Sequence, residues 1–275
     1  IENKKKMRIQ MKKAFLVTIV LYLTMTSSLY GLEMIDESSI ESLRSMPYEE
    51  YDSGYGLWDS ADLELFVSKD ENFSIGLWKS KAGSEEIDTP YPYNVFFLIK
   101  SGEIRTKTKE GDTNRFVSGE GFLIPKGWMG TFEISKDVEA IYFYDGLVET
   151  MNDSMRNIYQ DAALHYSTEN ILKTMAKKEF NEGENGLKTK EEQTFNNADE
   201  SFSMGIWEST QANIPSDWPY DEFMYVIEGQ ILMTDQDGNT YEINPGEGII
   251  VPTGWKGNFS VPEGVSKIWA IYDPS

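Results

Sequence analysis

The sequence predicts an all-β protein made of two tandem copies of one antiparallel sandwich or barrel. The first observation is an internal repeat, because the stretch from Gly119 to Gly130 returns almost letter for letter from Gly246 to Gly257. The second is a series of short segments that alternate apolar and polar residues and stop at glycine turns, which is the pattern of half-buried strands. The third is the scarcity of helical periodicity. Many short strands and few helices are typical of sandwiches and barrels.

Matching strands are predicted in the two copies. In the first copy they fall at 63–67, 73–78, 96–99, 102–108 and 140–144, and in the second at 202–207, 223–227, 230–235 and 267–272. The pair Asp237-Gly238 and the turn at Gly111 mark hairpins, since glycine accepts the positive φ that such turns need. The second copy is two residues shorter between Ser209 and Trp218, and we expect a loop there, where insertions are tolerated.

The charge balance excludes a nucleic-acid partner. Asp and Glu number 46 against 25 Lys and Arg, which gives a formal net charge of −21, whereas a phosphate backbone is bound by clustered positive charge. Acidity by itself indicates solubility and no particular partner. The chain has no cysteine, so disulfides, thiolate metal sites and thiol nucleophiles are excluded together.

The beginning of the sequence predicts a secretory signal peptide over residues 1–31. Six basic residues between Lys4 and Lys13 precede an apolar run of 12 residues from Ala14 to Met25, and small polar residues follow. This order of regions is typical of a signal peptide, and the run is shorter than the about 20 residues that span a bilayer as a helix. We therefore expect export to the periplasm or the medium, and no stable membrane anchor after cleavage.

The two repeats are assigned to residues 52–146 and 191–275, with a linker at residues 147–190. Their length is that of ordinary small domains, and the repeat favours two cores over one. We expect each repeat to form its own domain.

Two short helices are predicted outside the repeats. Residues 38–44 predict one helix, with Ser38 or Ser39 as its N-cap. In the linker, apolar residues spaced by four, three and four from Met151 to Ala162 predict a second helix that braces the two halves. His165 is the one histidine of the chain, and we expect it to be an exposed linker residue and not a catalytic base.

Three motifs of the second repeat carry a family resemblance. They are Gly205-Ile206-Trp207, the segment from Asp221 to Gly229, and Pro252-Thr253-Gly254-Trp255-Lys256-Gly257 followed by Lys267. The sequence resembles the cupins, and more narrowly the cupin family that includes the ureidoglycine aminohydrolase and ethanolamine-utilisation cupins. The resemblance implies a tandem duplicated cupin, in which two double-stranded β-helix or jelly-roll barrels are joined by a short helical linker. It does not imply one activity, because this barrel carries many chemistries.

The resemblance also implies where a metal would be held. Cupins use two histidines in His-x-His, a glutamate four residues later, and a third histidine after the Pro-x-Gly turn. At these places the second repeat has Ser216, Trp218, Glu222 and Gly257, and the first has Thr89, Tyr91, Val95 and Gly130. One carboxylate cannot supply the three or four ligands that a catalytic transition metal needs. We therefore predict no metal and no other cofactor.

A ligand site is predicted in the second barrel around Glu222. Because side chains alternate along a strand, Trp218, Tyr220, Glu222 and Met224 share one face, and the resemblance implies that this face is the inner one. Trp255 and Lys256 follow the Pro-x-Gly turn at the predicted mouth of the cavity. Aromatic faces around a carboxylate suit a small polar ligand such as a sugar, an amine or a ureido compound. The alternative is that the rings are ordinary packing and that a hydroxyl or Lys256 satisfies Glu222.

Three functions stay open at this point. The first is an exported protein with a degenerate metal site that binds a small molecule in the second barrel, the first barrel being structural. The second is a metal-independent enzyme of the ureidoglycine aminohydrolase-like class, in which Glu222 is the general acid or base with a pKa raised by its aromatic surroundings. The third is a structural or dimerisation module, since cupins associate through their sheets and a homodimer is compatible with two strand-rich halves.

Overall fold

The fold is mostly β, with 18 strands and two short helices in the part of the chain that the structure describes. A computed structural model describes residues 31–146, 164–183 and 187–274. The predicted signal peptide and the predicted helix from Met151 to Ala162 lie outside the described residues. The all-β prediction is confirmed.

The helices and strands follow one another in the same order in both halves. The first half contains β1 (Glu33–Ile35), α1 (Glu37–Ser45), β2 (Glu49–Asp52), β3 (Leu57–Val67), β4 (Phe73–Ser80), β5 (Gly83–Ile87), β6 (Asn94–Thr108), β7 (Thr113–Val117), β8 (Glu120–Ile124) and β9 (Gly130–Asp145). The second half contains β10 (Leu164–Ser167), α2 (Thr168–Ala176), β11 (Asn181–Glu182), β12 (Lys188–Asn196), β13 (Phe202–Asp217), β14 (Asp221–Gly229), β15 (Ile231–Asp235), β16 (Thr240–Ile243), β17 (Gly248–Val251) and β18 (Lys256–Tyr272). The strand, helix and hairpin before each predicted repeat are therefore also duplicated.

Two sheets of nine antiparallel strands form the two barrels. The first has the order β10-β8-β6-β9-β4-β3-β2, with β5 beside β9 and β7 beside β6. The second has the order β1-β17-β14-β18-β13-β12-β11, with β15 between β16 and β18. Each sheet encloses its own apolar cluster, as expected for a jelly-roll barrel. We call the one built mainly from β2 to β9 the N-terminal barrel and the one built mainly from β11 to β18 the C-terminal barrel.

The barrels exchange an edge strand. β1, which leads into the N-terminal barrel, pairs with β17 of the C-terminal barrel, with Glu33 opposite Ile250. β10, which leads into the C-terminal barrel, pairs with β8 of the N-terminal barrel, with Ser167 opposite Glu120. Each borrowed strand covers an edge that would otherwise leave backbone N–H and C=O groups unpaired. Strand pairing therefore crosses the boundaries drawn from the repeat.

The helix α1 begins at Glu37, one residue before the predicted range of 38–44. Its N-cap is Asp36, whose Oδ1 accepts hydrogen bonds from the backbone N–H of Ser38 (2.9 Å) and Ser39 (3.1 Å). The N-cap prediction of Ser38 or Ser39 is therefore wrong, because Asp36 is the better placed oxygen acceptor for these two N–H groups. No helix among the described residues has the length and apolar character needed to cross a bilayer.

The loop predicted between Ser209 and Trp218 is instead a strand. In the C-terminal barrel, β13 runs without a break from Phe202 to Asp217, and only a register shift between Thr210 and Ala212 marks the irregularity. In the N-terminal barrel the corresponding chain is divided into β4 and β5. The C-terminal barrel is two residues shorter here and has a bulge between Thr210 and Ala212 in place of the break between β4 and β5. A bulge lets a strand bend while its pairing continues.

A large apolar cluster joins the barrels. It draws side chains from both sheets, from α1 and from α2. Phe143 of the first barrel contacts Phe223 of the second at 5.5 Å between ring centroids, and Phe73 stacks on Tyr272 at 5.3 Å. Each buried phenylalanine is worth about 2 kcal/mol relative to exposure. The two halves therefore share one packed apolar cluster.

The glycine at the end of β14 explains one of the repeated motifs. Gly229 has φ +80°, and a Cβ there would lie 1.9 Å from the carbonyl oxygen of Gly264. Gly102 in the first copy has φ +95° and the same close approach to the backbone at Asp137. Only glycine fits such a turn, so the repeated glycine is a requirement of the fold.

Candidate functional site

An open cavity of about 270 Å³ lies inside the C-terminal barrel. Its wall comes from β12, β13 and β18 and from the start of β14. Five of its eleven lining side chains are aromatic, and two carboxylates and one ammonium group lie among them. The lining residues are Glu191, Trp207, Ile214, Ser216, Trp218, Tyr220, Glu222, Phe259, Lys267, Trp269 and Ile271.

A buried ion pair forms the floor of the cavity. Lys267 Nζ donates to Glu222 Oε1 at 2.6 Å, and the two residues are only 6% and 3% exposed. The second oxygen, Glu222 Oε2, accepts a hydrogen bond from the indole N–H of Trp218 at 3.1 Å. Both oxygens of the carboxylate therefore already have a donor, as a buried charge requires.

Aromatic rings hold Lys267 in place from the other side. Its Nζ lies 5.1 Å from the ring centroid of Trp207 and 5.9 Å from that of Phe259. Ammonium groups at these distances are attracted by the negative face of the ring. Trp207, Lys267 and Glu191 are neighbours across three strands, since Trp207 pairs with both of the other residues. This row extends from the floor of the cavity to its rim.

The Pro-x-Gly turn positions Trp218 but does not line the cavity. The backbone N–H of Trp218 donates to the carbonyl of Trp255 at 2.8 Å, and the N–H of Gly254 donates back to Trp218 at 2.7 Å. The two indole rings meet edge to face at 6.0 Å. Trp255 is 4% exposed and belongs to the apolar cluster of the barrel. The structure thus corrects the prediction that Trp255 lines the site, because its ring points into the packed end of the barrel.

Lys256 lies outside the cavity, which corrects its predicted role. Its Nζ binds Asp217 Oδ2 at 2.6 Å, and both side chains are more than half exposed. The sequence proposed Lys256 as the partner of Glu222. The partner is instead Lys267, which reaches Glu222 from β18, the neighbouring strand.

Burial and neighbouring charge perturb two groups at the rim. Partial burial raises the pKa of Glu191, while Lys267 lowers it and Glu222 raises it. Burial, reinforced by the charges of Glu222 and Glu191, raises the pKa of Tyr220 to about 12. The Tyr220 hydroxyl is therefore protonated at neutral pH and can donate a hydrogen bond. Glu191 offers a carboxylate for which the described residues show no salt bridge.

Sequence reasoning placed Trp218, Tyr220 and Glu222 on one face, and the structure puts all three on the cavity wall. It missed Lys267 and Glu191. Lys267 was detectable as the one charge in an otherwise apolar segment that ends at Tyr272. Glu191 gave no comparable signal, because every residue of its strand β12 except Phe195 is charged or polar.

The other motif residues have structural roles. Asp221 Oδ1 accepts hydrogen bonds from the backbone N–H (2.7 Å) and the hydroxyl (2.8 Å) of Thr253, which ties β14 to the Pro-x-Gly turn. His165 lies on β10 and not in a loop, with Nε2 3.3 Å from Glu120 Oε2 and its ring edge-on to Phe116. It is far in the fold from the C-terminal cavity, since β10 belongs to the other sheet.

The N-terminal barrel contains neither member of the ion pair. The positions of Glu222 and Lys267 are taken by Val95 and Ala140, both buried. Replacing only one of the two would have left an uncompensated buried charge. Two neighbouring inner positions also differ, since Tyr142 corresponds to Trp269 and Phe97 corresponds to Met224.

Solved structures with the same fold come from several bacteria. A protein of unknown function from Pseudomonas syringae pv. tomato superposes with a TM-score of 0.61 at 15% identity, covering 80% of this chain and 87% of its own. A cupin 2 conserved barrel domain protein from Leptotrichia buccalis gives 0.57 at 13% identity, covering 88% and 96%. A variant of the salicylate 1,2-dioxygenase of Pseudoaminobacter salicylatoxidans gives 0.58 at 10% identity, covering 98% and 93%. At these identities the likeness shows the fold alone.

The sequence itself matches one domain family twice. A search of curated proteins finds no match for it. The model of the EutQ-like cupin domain matches residues 67–142 and 196–269, which together make up more than half of the chain and fall on corresponding parts of the two barrels. The chain therefore belongs to the EutQ-like cupin domain family and carries that domain in two copies.

Proposed function

We propose that the protein binds a small polar molecule, of the sugar, amine or ureido class, in the C-terminal barrel. The observation that carries this proposal is the open cavity whose wall combines aromatic rings with the Glu191 carboxylate. Ring faces stack on sugars and amines, and a carboxylate accepts hydrogen bonds from hydroxyl or N–H groups. The cavity of about 270 Å³ is slightly smaller than the sites of about 300–1,000 Å³ that are common for small molecules. The ligand should therefore be small.

The site is proposed to work without a metal. Of the four positions at which cupins hold one, Ser216 gives its hydroxyl to the carbonyl of Ile214 at 3.0 Å, and Trp218 offers an N–H donor and no lone pair. Glu222 is bound to the Lys267 ammonium, whose positive charge would oppose a metal cation at the same oxygen. Within the described residues no group of three His, Cys, Asp or Glu side chains is arranged to hold an ion. These donors do not fit a metal centre.

Glu222 is assigned a positioning role, which makes binding a better supported function than catalysis. A general base needs a lone pair directed at substrate, whereas each oxygen of Glu222 already accepts a hydrogen bond from Lys267 or Trp218, which fixes the carboxylate towards these two side chains. The carboxylate fixes the Trp218 ring against the cavity and neutralises Lys267. The structural or dimerisation module is therefore kept as an outcome of the tests below, and turnover of a ureido compound that binds would favour the ureidoglycine aminohydrolase-like enzyme.

Export is also proposed, on the sequence alone. The basic, apolar and small polar regions before Gly31 support a cleaved signal peptide and a periplasmic or secreted protein. A fusion of residues 1–31 to a reporter that is active only after export would test this. Activity equal to that of a leaderless reporter would contradict it.

A thermal-shift screen of the purified protein with sugars, amines and ureido compounds tests the binding function. A hit should be lost in Trp207→Leu, which removes a ring from the cavity wall, and kept in Lys256→Met, which changes an exposed residue of the same barrel. A hit that survives Trp207→Leu, or a screen without hits, would reject the C-terminal site and favour the structural module. Metal analysis completes the test, since one tightly bound transition-metal ion per chain would contradict the metal-free assignment.

A further inference from the structure

The duplication reveals which part of the cavity both barrels retain. Glu191 is opposite Trp207 on the inner face of the C-terminal barrel. At the same places in the N-terminal barrel, Asp62 is opposite Trp78. The buried ion pair of the C-terminal barrel was replaced by apolar residues in the N-terminal barrel, but the acid and its tryptophan were not. An acid at this position is therefore the polar feature common to the two barrel interiors.

Asp62 lies on the inner face of β3 with an exposed side chain, and the described residues give it no cationic partner. The Tyr142 hydroxyl donates to Asp62 Oδ1 at 3.0 Å, and Gly76 makes this possible, since a Cβ there would lie 2.5 Å from the same hydroxyl. Glu64 lies next on the same face of β3 and reaches Ser74 at 3.5 Å. Within the described ranges neither Asp62 nor Glu64 forms a salt bridge. Asp62 still has accessible surface, which on an inward-facing position borders the interior of the barrel.

The surroundings of Asp62 repel a negative charge. Burial raises the pKa of Asp62 to about 7, the hydrogen bond from Tyr142 lowers it, and the nearby charge of Glu64 raises it. The other titratable groups that face it are Tyr51 from β2 and Tyr144 from β9, and the pKa of each is raised by burial and by Asp62 itself. None of these groups is positive. An ionised Asp62 therefore has no positive group of the described residues beside it, and a cation that enters the barrel would supply one.

A continuous row of tyrosine rings leads to Asp62. Successive ring centroids are 6.4, 5.9, 6.0 and 5.7 Å apart along the row. Its members are Tyr55, Tyr91, Tyr93, Tyr144 and Tyr142. All but Tyr142 are only half-buried, so parts of their faces and edges stay accessible.

We propose that the N-terminal barrel is a second binding site, and that it takes an organic cation, a protonated or quaternary amine, at Asp62 among these tyrosine rings. Tyrosine faces attract cations within about 6 Å of the ring centroid, and desolvation strengthens the attraction. A carboxylate supplies the opposite charge that the interior lacks. This inference goes beyond the function proposed for the C-terminal barrel and does not depend on it.

Titration of the full chain with choline, followed by calorimetry, tests the proposal. Choline should bind saturably, and its neutral isostere tert-butylethanol should not. Asp62→Asn should weaken the binding at least about tenfold, equivalent to about 1.4 kcal/mol. Glu191→Gln is the matched change at the corresponding position of the C-terminal barrel. In this variant the Asp62 site should bind choline with unchanged affinity. Because Asp62→Asn removes an uncompensated charge, we expect this variant to fold, and its thermal melt verifies that.

Three results would overturn the second site. They are wild-type protein that does not bind choline at millimolar concentration, equal binding of tert-butylethanol, and an Asp62→Asn variant that binds like the wild type. If Glu191→Gln alone abolished binding, the cation would belong to the C-terminal barrel. That outcome would reject this inference and support the proposed function, so the two can fail separately.

Discussion

The buried ion pair of the C-terminal barrel should stabilise the protein only as long as both partners are present. Lys267→Ala leaves the Glu222 carboxylate, 3% exposed, without its cation. Breaking a buried pair in this way costs about 3–5 kcal/mol. For a protein of this size about 1 kcal/mol lowers Tm by about 2–4 °C, so the variant should melt roughly 6–20 °C below the wild type.

The N-terminal barrel supplies the matched double variant. The N-terminal barrel has Val95 and Ala140 at these positions. Glu222→Val combined with Lys267→Ala therefore gives the C-terminal barrel the same pair of residues. Both charges then disappear together, and we expect the double variant to be more stable than Lys267→Ala alone. The coupling energy between the two positions should be about 2–3 kcal/mol.

Urea unfolding, followed by tryptophan fluorescence and circular dichroism, measures the four proteins of the cycle. Coincident transitions with the two probes establish that one free energy of unfolding describes each protein. Lys256→Ala is the control, since it removes a lysine from an exposed pair with Asp217 and should cost no more than about 1 kcal/mol. If the losses of the two single variants simply add in the double variant, the reasoning from a coupled pair is refuted.

Two further predictions concern the N-terminal barrel and the exchanged strand. Since the pKa of Asp62 is raised to about 7 by burial, the folded protein holds this proton more tightly than the unfolded chain, and stability falls as pH rises between about 4 and about 7. Asp62→Asn should therefore melt above the wild type at about pH 8 and close to it at about pH 4; an equal difference at both pH values would contradict this. Deleting residues 32–35 removes β1, whose loss should expose the backbone of β17 and leave β8 covered. Hydrogen exchange reports on both strands, and unchanged protection of β17 would show that the borrowed strand is dispensable.

Local patterns predicted the fold because the relevant constraints are local. The turn at Gly229 needs positive φ and no side chain. Both copies therefore have glycine at this position. Alternation in the strands is equally local. The prediction that one strand carries Trp218, Tyr220 and Glu222 is wrong, because the first two lie in the connection between β13 and β14, although all three line the cavity. The exchange of β1 and β10 was not predictable, because these strands are three and four residues long and their partners are chosen by the packing of the whole molecule.

The pairing of Glu222 with Lys267 depends on the register between β14 and β18. This register could not be predicted from the sequence. Lys256 was the lysine nearest to the motif, but it lies at the exposed start of β18, opposite Asp217. Lys267 lies further along the same strand, opposite Val226 of β14, two inward positions from Glu222. Only the antiparallel alignment of β14 and β18 brings the second lysine to the acid. The error with Trp255 has a similar cause, since the direction of a ring after a turn is set by the turn's own geometry.

The crossed strands impose an order on synthesis and folding. β10 finds its partner β8 about forty residues earlier in the chain, so the N-terminal barrel can close soon after Ser167 is made. β1 is made first of all, but its partner β17 is among the last strands to emerge. Until then β1 has no strand partner, and the contact that closes the C-terminal barrel is among the most distant in the sequence. Such contacts slow folding, and a chain interrupted before β17 would present a complete first barrel with an unpaired strand at its beginning.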